Sequence, residues 1–215
     1  MENASFLQYI ETLKNEMRQT AADASKKYFE TSPTRESMIR WLCTRCWREI
    51  DYVFLINAIV NKYWSEFDPK IVTSLMKQSW EEARHYQQLA EIIELYGGKR
   101  PLQVTEVDKI WSKVLWDAVD KDKVAAISGW HLSETSGEGT FKFVIEGAKK
   151  WSYPEVSKAY EKIAQDELFH LNLGHEILER YAIDEASQKE SIKAAQQIVQ
   201  VLSKSYGIIF EITPK

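Results

Sequence analysis

Apolar residues recur three and four positions apart along almost the whole chain, with charged residues between them. This periodicity indicates amphipathic α-helices that each turn one face towards a shared core. Breaks fall at Pro33, at Asp68 and Pro69, at Gly97 followed by Gly98 and Pro101, and at Pro154. The pattern predicts seven helices, at about 4–29, 35–65, 69–96, 104–118, 121–151, 154–182 and 186–205.

The composition favours an all-α protein. The 215 residues include only 8 Gly and 5 Pro, as expected for long uninterrupted helices, and 44% are hydrophobic, which suffices for a sizeable core. We therefore expect a single helical domain over residues 1–215, built as a four-helix bundle with accessory N-terminal, connecting and C-terminal helices. The C-terminal GIIFEITPK is expected to form a short extended arm.

Charge and hydropathy exclude several classes of protein. The formal net charge is -4 and no Lys/Arg cluster is present, so we expect neither nucleic-acid nor membrane-surface binding. The start MENASFLQYIETLKNEM does not resemble a signal peptide, and no apolar run approaches the ~18 residues of a membrane span, so a cytoplasmic protein is expected. Cys43 and Cys46 lack the further ligands of a zinc site and are predicted to be buried thiols.

Ionisable residues interrupt the middle of four apolar stripes. Each stripe is apolar at both ends, and the interrupting residues are Glu49; Glu82 and His85; Glu134; and Glu167 and His170. Burying one unpaired carboxylate costs several kcal/mol, so four converging carboxylates need a compensating charge. Two divalent cations would balance four carboxylates, and residues three apart on a helix lie side by side and can reach one ion.

The spacing of these residues repeats within the chain. Glu49 precedes Glu82 by 33 residues, Glu134 precedes Glu167 by 33, and the two ExxH motifs lie 85 residues apart. The chain therefore contains two similar helix pairs, and each contributes one glutamate and one ExxH motif. A single ExxH would be weak evidence, because glutamate is common here; the placement of both motifs on buried stripes is the stronger indication.

This arrangement resembles the ferritin-like di-iron carboxylate superfamily, which takes one Glu from each of two helices and an ExxH from each of the other two. EEARH at 81–85 and DELFH at 166–170 are similar to its (D/E)ExxH signature, within a metal-binding core of about 35–182. ELFHLNLGHEIL at 167–178 is similar to the last motif of the aldehyde-deformylating oxygenases and the phenylacetate-oxygenase-like proteins.

The resemblance implies a ligand set for two iron ions, with Glu82 and Glu167 as bridging carboxylates. The implied metal ligands are Glu49, Glu82, His85, Glu134, Glu167 and His170. It also implies that Glu81 and Asp166 accept hydrogen bonds from the ligand histidines, which would fix the tautomer and the ring orientation.

Other features near the ligands leave alternatives open. Glu138 is predicted to be an acid of the active site, with an extra metal ligand or a surface residue as alternatives. His131 is predicted to be a hydrogen-bonded core histidine beside the ligands, with a third histidine ligand as the alternative. The glycines of SETSGEGT, at 133–140, would leave space for dioxygen or substrate, permit a π-bulge, or allow close helix packing. A radical-forming tyrosine among Tyr86, Tyr160 and Tyr181 is also open.

The resulting hypothesis is an oxidoreductase: an O₂-dependent, non-heme di-iron oxidase or oxygenase acting on a small organic substrate. Its cofactor would be two Fe ions, with Mn or a mixed Mn/Fe centre as an alternative, since such ligands bind both metals. An electron donor is expected, either a reductase, a ferredoxin or a chemical reductant, and a homodimer is left open. The alternative function is iron handling, as a ferroxidase. The ligands specify neither the substrate nor the type of oxidation.

Overall fold

The computed structural model describes residues 3–103 and 106–211, and within them it contains helices and no strands. In chain order the helices are α1 (Asn3–Glu30), α2 (Arg35–Tyr63), a 3₁₀ turn (Trp64–Glu66), α3 (Pro69–Leu95), α4 (Glu106–Lys121), α5 (Lys123–Lys150), α6 (Pro154–Tyr181) and α7 (Glu185–Glu211). The prediction of an all-α bundle is confirmed. The predicted extended arm is wrong for residues 207–211, which continue α7, and its remainder lies outside the described residues.

Local signals account for most helix ends. The Thr34 side chain accepts a hydrogen bond from the Ser37 amide at the start of α2, and Asp68 caps α3 directly before Pro69. Asp122 caps α5 by accepting from the amides of Val124 and Ala125, so α4 and α5 meet at that residue. Only Asp122 separates the two helices. Helix α4 therefore extends to Lys121, beyond its predicted end at about residue 118.

Four helices form the bundle that carries the predicted ligands. Helix α2 packs along α3 and α5 packs along α6, while α3 contacts α6 and α2 contacts α5 across the bundle. Helices α1 and α7 cover the outer side of α5, and α4 lies against α2, α5 and α7. No helix in the described part of the chain combines the length and the apolar content that crossing a bilayer requires.

Two apolar clusters lie at opposite ends of the bundle, and the predicted ligands lie between them. One includes Leu55, Leu75, Ile127 and Ile177, and the other includes Leu42, Leu89, Val144 and Val156. Each of the four helices contributes to both clusters and crosses the polar middle layer once. This is the arrangement that the interrupted stripes predicted.

The glycines of the 133–140 segment have separate structural reasons. A Cβ on Gly139 would lie 2.2 Å from the backbone oxygen of Arg18, so this glycine permits the close approach of α1 to α5. Helix α5 is continuous α-helix through the segment, which rules out the π-bulge there. Close helix packing, one of the three alternatives, therefore explains Gly139.

The two cysteines differ in their surroundings on α2. Cys46 is buried, as predicted, and its Sγ donates to the backbone oxygen of Tyr86 at 3.7 Å. Cys43 is only half-buried, because it faces the segment after α3, where its Sγ donates to the oxygen of Lys99 at 3.6 Å. The prediction of two buried thiols is thus confirmed for one of them.

Candidate metal centre

The six predicted ligands converge in the polar middle layer of the bundle, where all of them are buried. They form two overlapping groups: Glu49, Glu82, His85 and Glu167 in one, and Glu82, Glu134, Glu167 and His170 in the other. We call these the His85 position and the His170 position. Glu82 and Glu167 belong to both groups, which is the sharing that two bridging carboxylates require.

The spacing of the donor atoms suits a small divalent cation. Within each group, one ligand atom from every residue lies within 4.8 Å of all the others. Ligands at about 2.0–2.2 Å from a common ion lie up to ~4.4 Å apart, so small side-chain movements suffice to bind one. Nδ1 of His170 lies 3.1 Å from oxygens of both Glu82 and Glu167. Nδ1 of His85 lies 3.4 Å from Glu82 and 3.5 Å from Glu49.

Two buried polar atoms of the six predicted ligands lack a hydrogen bond within the described residues. They are Oε2 of Glu82 and Nδ1 of His85, in residues that are 0% and 2% exposed. Leaving a buried donor or acceptor unsatisfied costs about 1–3 kcal/mol. A metal ion bound between these atoms would satisfy both, so the donor set fits the dimetal centre that the resemblance implies.

The outer nitrogens of both histidines point to carboxylates of the opposite motif. Nε2 of His85 lies 3.2 Å from Asp166, and Nε2 of His170 lies 3.2 Å from Glu81. A proton on each Nε2 leaves the Nδ1 lone pair directed at the ligand cluster. The predicted supporting roles of Glu81 and Asp166 agree with this geometry, and each motif orients the histidine of the other.

The carboxylates hold both imidazole rings in the protonated form when no cation competes. Although burial disfavours the charged ring, Glu49 and Glu82 raise the pKa of His85 to about 11. Burial likewise opposes the charge on His170, yet Glu167 and Glu82 raise its pKa to about 12. Each ring therefore supplies a positive charge that a metal ion would replace.

The glutamates divide into two kinds. Burial raises the pKa of Glu49 to about 7, and burial together with the charges of Glu167 and Glu82 raises the pKa of Glu134 well above its usual range. Burial acts the same way on Glu82, but the two charged histidines outweigh it and hold its pKa well below its usual range. Binding cations thus requires protons to leave the layer.

Two supporting residues escaped the sequence analysis. Gln78 is fully buried, and its Nε2 donates to Glu82 at 3.3 Å and to Glu134 at 3.4 Å. Trp130 is fully buried, and its Nε1 donates to Glu134 at 2.7 Å. Each lies four residues before a ligand glutamate on the same helix, and this i−4 spacing is the signal that could have identified them.

A small enclosed cavity adjoins the cluster. Its volume is about 10 Å³, close to the least that holds one water molecule, and its wall includes Glu49, Glu134 and Glu167. Tyr52 and Ser133 also line it and are hydrogen-bonded to each other through their hydroxyls. Gly137 completes the wall, so this glycine leaves the space beside the ligands that was one of the alternatives.

The other predicted site residues lie elsewhere. Glu138 is exposed and its carboxylate lies 2.8 Å from Arg18, so the structure shows the surface alternative and not an acid facing the metals. His131 is fully buried, but neither ring nitrogen forms a hydrogen bond within the described residues and it belongs to neither ligand group. Its ring packs against Gly174, where an added Cβ would lie 2.4 Å from Nδ1. The hydrogen bond expected for this core histidine is therefore not present within the described residues.

The three candidate tyrosines are also separated by the fold. Tyr160 lines the small cavity, whereas the hydroxyl of Tyr181 accepts a hydrogen bond from the Asp68 amide at 2.7 Å and that of Tyr86 accepts from Arg100 at 3.3 Å. Tyr52 was not among the predicted site residues, yet it lies at the cavity beside Glu49. Its position one turn after that glutamate on α2 was the available signal.

Comparisons with known proteins support the fold and go no further. No protein-family model and no curated protein matches the chain. Among solved structures, the chain is similar to a CADD-like protein of unknown function from Nostoc punctiforme, with a TM-score of 0.77. The match covers 97% of this chain and 98% of that one at 9% sequence identity, and so it shows a shared fold alone.

Proposed function

We propose that this protein is an O₂-dependent, non-heme di-iron oxidase or oxygenase. The observation that supports it best is the pair of overlapping ligand groups, which share Glu82 and Glu167 in a buried layer. Carboxylate and imidazole donors suit iron and manganese, whereas no thiolate of a soft-metal site is present in either group. Two adjacent cations bridged by carboxylates are suited to the two-electron chemistry of dioxygen.

The ligand set leaves room on each ion for a further molecule. Each position has four protein residues, fewer than the six donors of an octahedral site, so an iron or manganese ion there would have room for a further molecule. The small cavity borders both positions, because Glu49 belongs to one and Glu134 to the other. Bound ferrous ions would supply the electrons for dioxygen reduction, which is the chemistry that the side chains alone cannot provide.

The side chains around the cluster would orient the ligands and control protons. Gln78 and Trp130 hold the carboxylate of Glu134 in place, and the apolar clusters at both ends of the bundle exclude water. Tyr52 is buried beside Glu134, and burial raises its pKa above the usual range, so its hydroxyl keeps its proton. Together with Ser133 it places a hydroxyl pair at the cavity wall.

The test is anaerobic loading with Fe²⁺, followed by addition of dioxygen. We expect about two Fe per chain by metal analysis, and consumption of dioxygen with a new absorption band in the near-ultraviolet. Glu134→Gln should lower the iron content and the oxygen consumption, because it weakens the His170 position. Glu138→Gln is the matched control on the same helix and should change neither.

Two outcomes would contradict the proposal. A metal content below about one ion per chain would show that the dimetal centre does not form. Full iron content without dioxygen consumption would leave the centre in place but reject the oxidase or oxygenase activity.

The small volume of the cavity favours a second candidate, oxidation of iron itself. About 10 Å³ accommodates a molecule the size of water or dioxygen, so an organic substrate would need the wall side chains to move. A ferroxidase needs no such movement. It would release ferric iron after each turnover and accept many equivalents of Fe²⁺ per chain, whereas the oxygenase would retain its two ions.

A further inference from the structure

The carboxylates that support the two histidines lie in different surroundings. The side chain of Asp166, which pairs with His85, is 27% exposed and lines a surface cleft of about 240 Å³ that reaches His85 itself. The side chain of Glu81, which pairs with His170, is only 6% exposed and lies 3.1 Å from Nζ of Lys77. That Lys77 Nζ also lies 3.5 Å from the centre of the Phe169 ring, so a cation–π contact holds the half-exposed lysine beside Glu81.

The ligands themselves show the same asymmetry. Nδ1 of His170 has two carboxylate oxygens at 3.1 Å, whereas the oxygens around Nδ1 of His85 lie at 3.4, 3.5 and 3.8 Å. The hydrogen bonds of Trp130 and Gln78 to Glu134 further fix a ligand that belongs only to the His170 position. Ligands that are already oriented lose less conformational freedom when they bind a cation.

We propose that the two cation positions are inequivalent, and that the His85 position exchanges its divalent cation with solvent through the cleft at Asp166 while the His170 position retains its cation. This inference rests on the dimetal centre of the proposed function but not on its reaction with dioxygen. An exposed supporting carboxylate can turn towards water and release its histidine, whereas a buried one held by Lys77 cannot do so without losing an ion pair.

The cleft is the better route for a cation than the small cavity on the opposite side. The cavity has room for only about one water molecule, so a hydrated ion could not pass through it unless its wall side chains moved. The cleft offers the carboxylates of Glu91 and Asp166 and room for several waters, so a hydrated ion can lose its waters stepwise. Arg84 and Lys162 also line it, but these side chains are exposed and their charges are screened by solvent.

The experiment measures iron release and involves no dioxygen. The protein is loaded with Fe²⁺ under nitrogen and mixed with excess ferrozine, a chelator that becomes coloured on binding Fe²⁺. We expect two phases of one equivalent each, with rates at least tenfold apart. Release of both equivalents in one phase would overturn the inference.

Isosteric variants assign the phases to the two positions. Glu49→Gln weakens only the His85 position and should remove the fast phase, whereas Glu134→Gln weakens only the His170 position and should remove the slow one. Asp166→Asn and Glu81→Gln form a second matched pair outside the ligand set. Asp166→Asn should accelerate only the fast phase, by roughly 10–100-fold, and Glu81→Gln only the slow phase, since loss of such a partner weakens metal binding by about that factor.

The outcomes separate this inference from the proposed function. The opposite assignment, in which Glu49→Gln removes the slow phase, would overturn the inference. Two phases from a protein that consumes no dioxygen would support the inference and reject the oxidase. Should a ligand variant fail to fold by circular dichroism, the pair at Asp166 and Glu81 still decides the assignment, because these residues bind no metal directly.

Discussion

Loading the centre with metal should expel protons from the protein. Both ligand histidines have raised pKa values, about 11 for His85 and about 12 for His170, so both rings carry a proton at neutral pH in protein freed of metal by chelation. A cation can bind Nδ1 only after the charged ring has lost a proton. The carboxyl groups of Glu134 and Glu49 must also be ionised to act as ligands.

The magnitude follows from the four groups with raised pKa. At pH 7 the two rings each release one proton, and Glu49, with a pKa of about 7, releases half a proton on average. Glu134, whose pKa lies well above the usual range, adds up to one more. We therefore expect roughly two and a half to three and a half protons for two cations. Since protons compete with the cations, binding strengthens as the pH rises, and the product of the two association constants should increase roughly 300- to 3,000-fold per pH unit near pH 7.

Calorimetry measures this proton count directly. Mn²⁺, which resists oxidation at neutral pH, is titrated into metal-free protein in two buffers of equal pH and different ionisation enthalpy. The difference in observed heat gives the number of protons released. His170→Gln should lower that number by about one, and Glu138→Gln should leave it unchanged. Release of less than one proton for two bound cations would refute the charge balance derived for the cluster.

Three further predictions concern stability. In metal-free protein the raised histidine pKa values stabilise the fold fully below the unfolded value of about 6.5 and lose that effect as pH rises towards 11, so melts at pH 6, 8 and 10 should show a falling Tm. Gly139→Ala should cost about 1–3 kcal/mol in chemical denaturation, because its Cβ would meet Arg18 backbone, whereas Gly129→Ala, with ordinary contacts at 3.5 Å, should be neutral or stabilising. Arg48→Met should cost about 3–5 kcal/mol by leaving Asp108 buried without its 3.0 Å ion pair, and much of the loss should return when Asp108→Leu is added.

The convergence of the six predicted ligands was predictable because helix geometry fixes each motif locally. Two residues three apart on one helix face are neighbours in any fold, so each ExxH motif places its Glu and His side by side whatever the tertiary structure. Burial followed from the apolar residues at both ends of each stripe. Gln78 and Trp130 carry no charge, so only their position four residues before Glu82 and Glu134 could have distinguished them from ordinary core residues.

Residues one turn away from a ligand were harder to predict. Four residues of α-helix turn about 40° beyond a full turn and three residues fall about 60° short, so either neighbour of a ligand can face its site. After Glu134, it is Gly137 that lines the cavity, while Glu138 turns to the surface and pairs with Arg18 of α1. The packing of α1 on α5 determines which neighbour of Glu134 faces the site, and the sequence of α5 alone does not reveal it.

The difference between local helix geometry and packing between helices also explains why the chain has a symmetric sequence pattern and an asymmetric site. The repeated Glu and ExxH spacing sets the six ligands, and the crossed pairs of His85 with Asp166 and His170 with Glu81 follow the same repeat. The surroundings do not repeat, because the cleft opens at Asp166 while Lys77 and Phe169 close off Glu81. Two ligand groups of the same composition in unequal surroundings would exchange the same cation at different rates, since outer contacts and solvent access determine how fast a ligand dissociates. A centre of this kind can retain one ion while it exchanges the other, which ties its state of loading to the supply of metal around the protein.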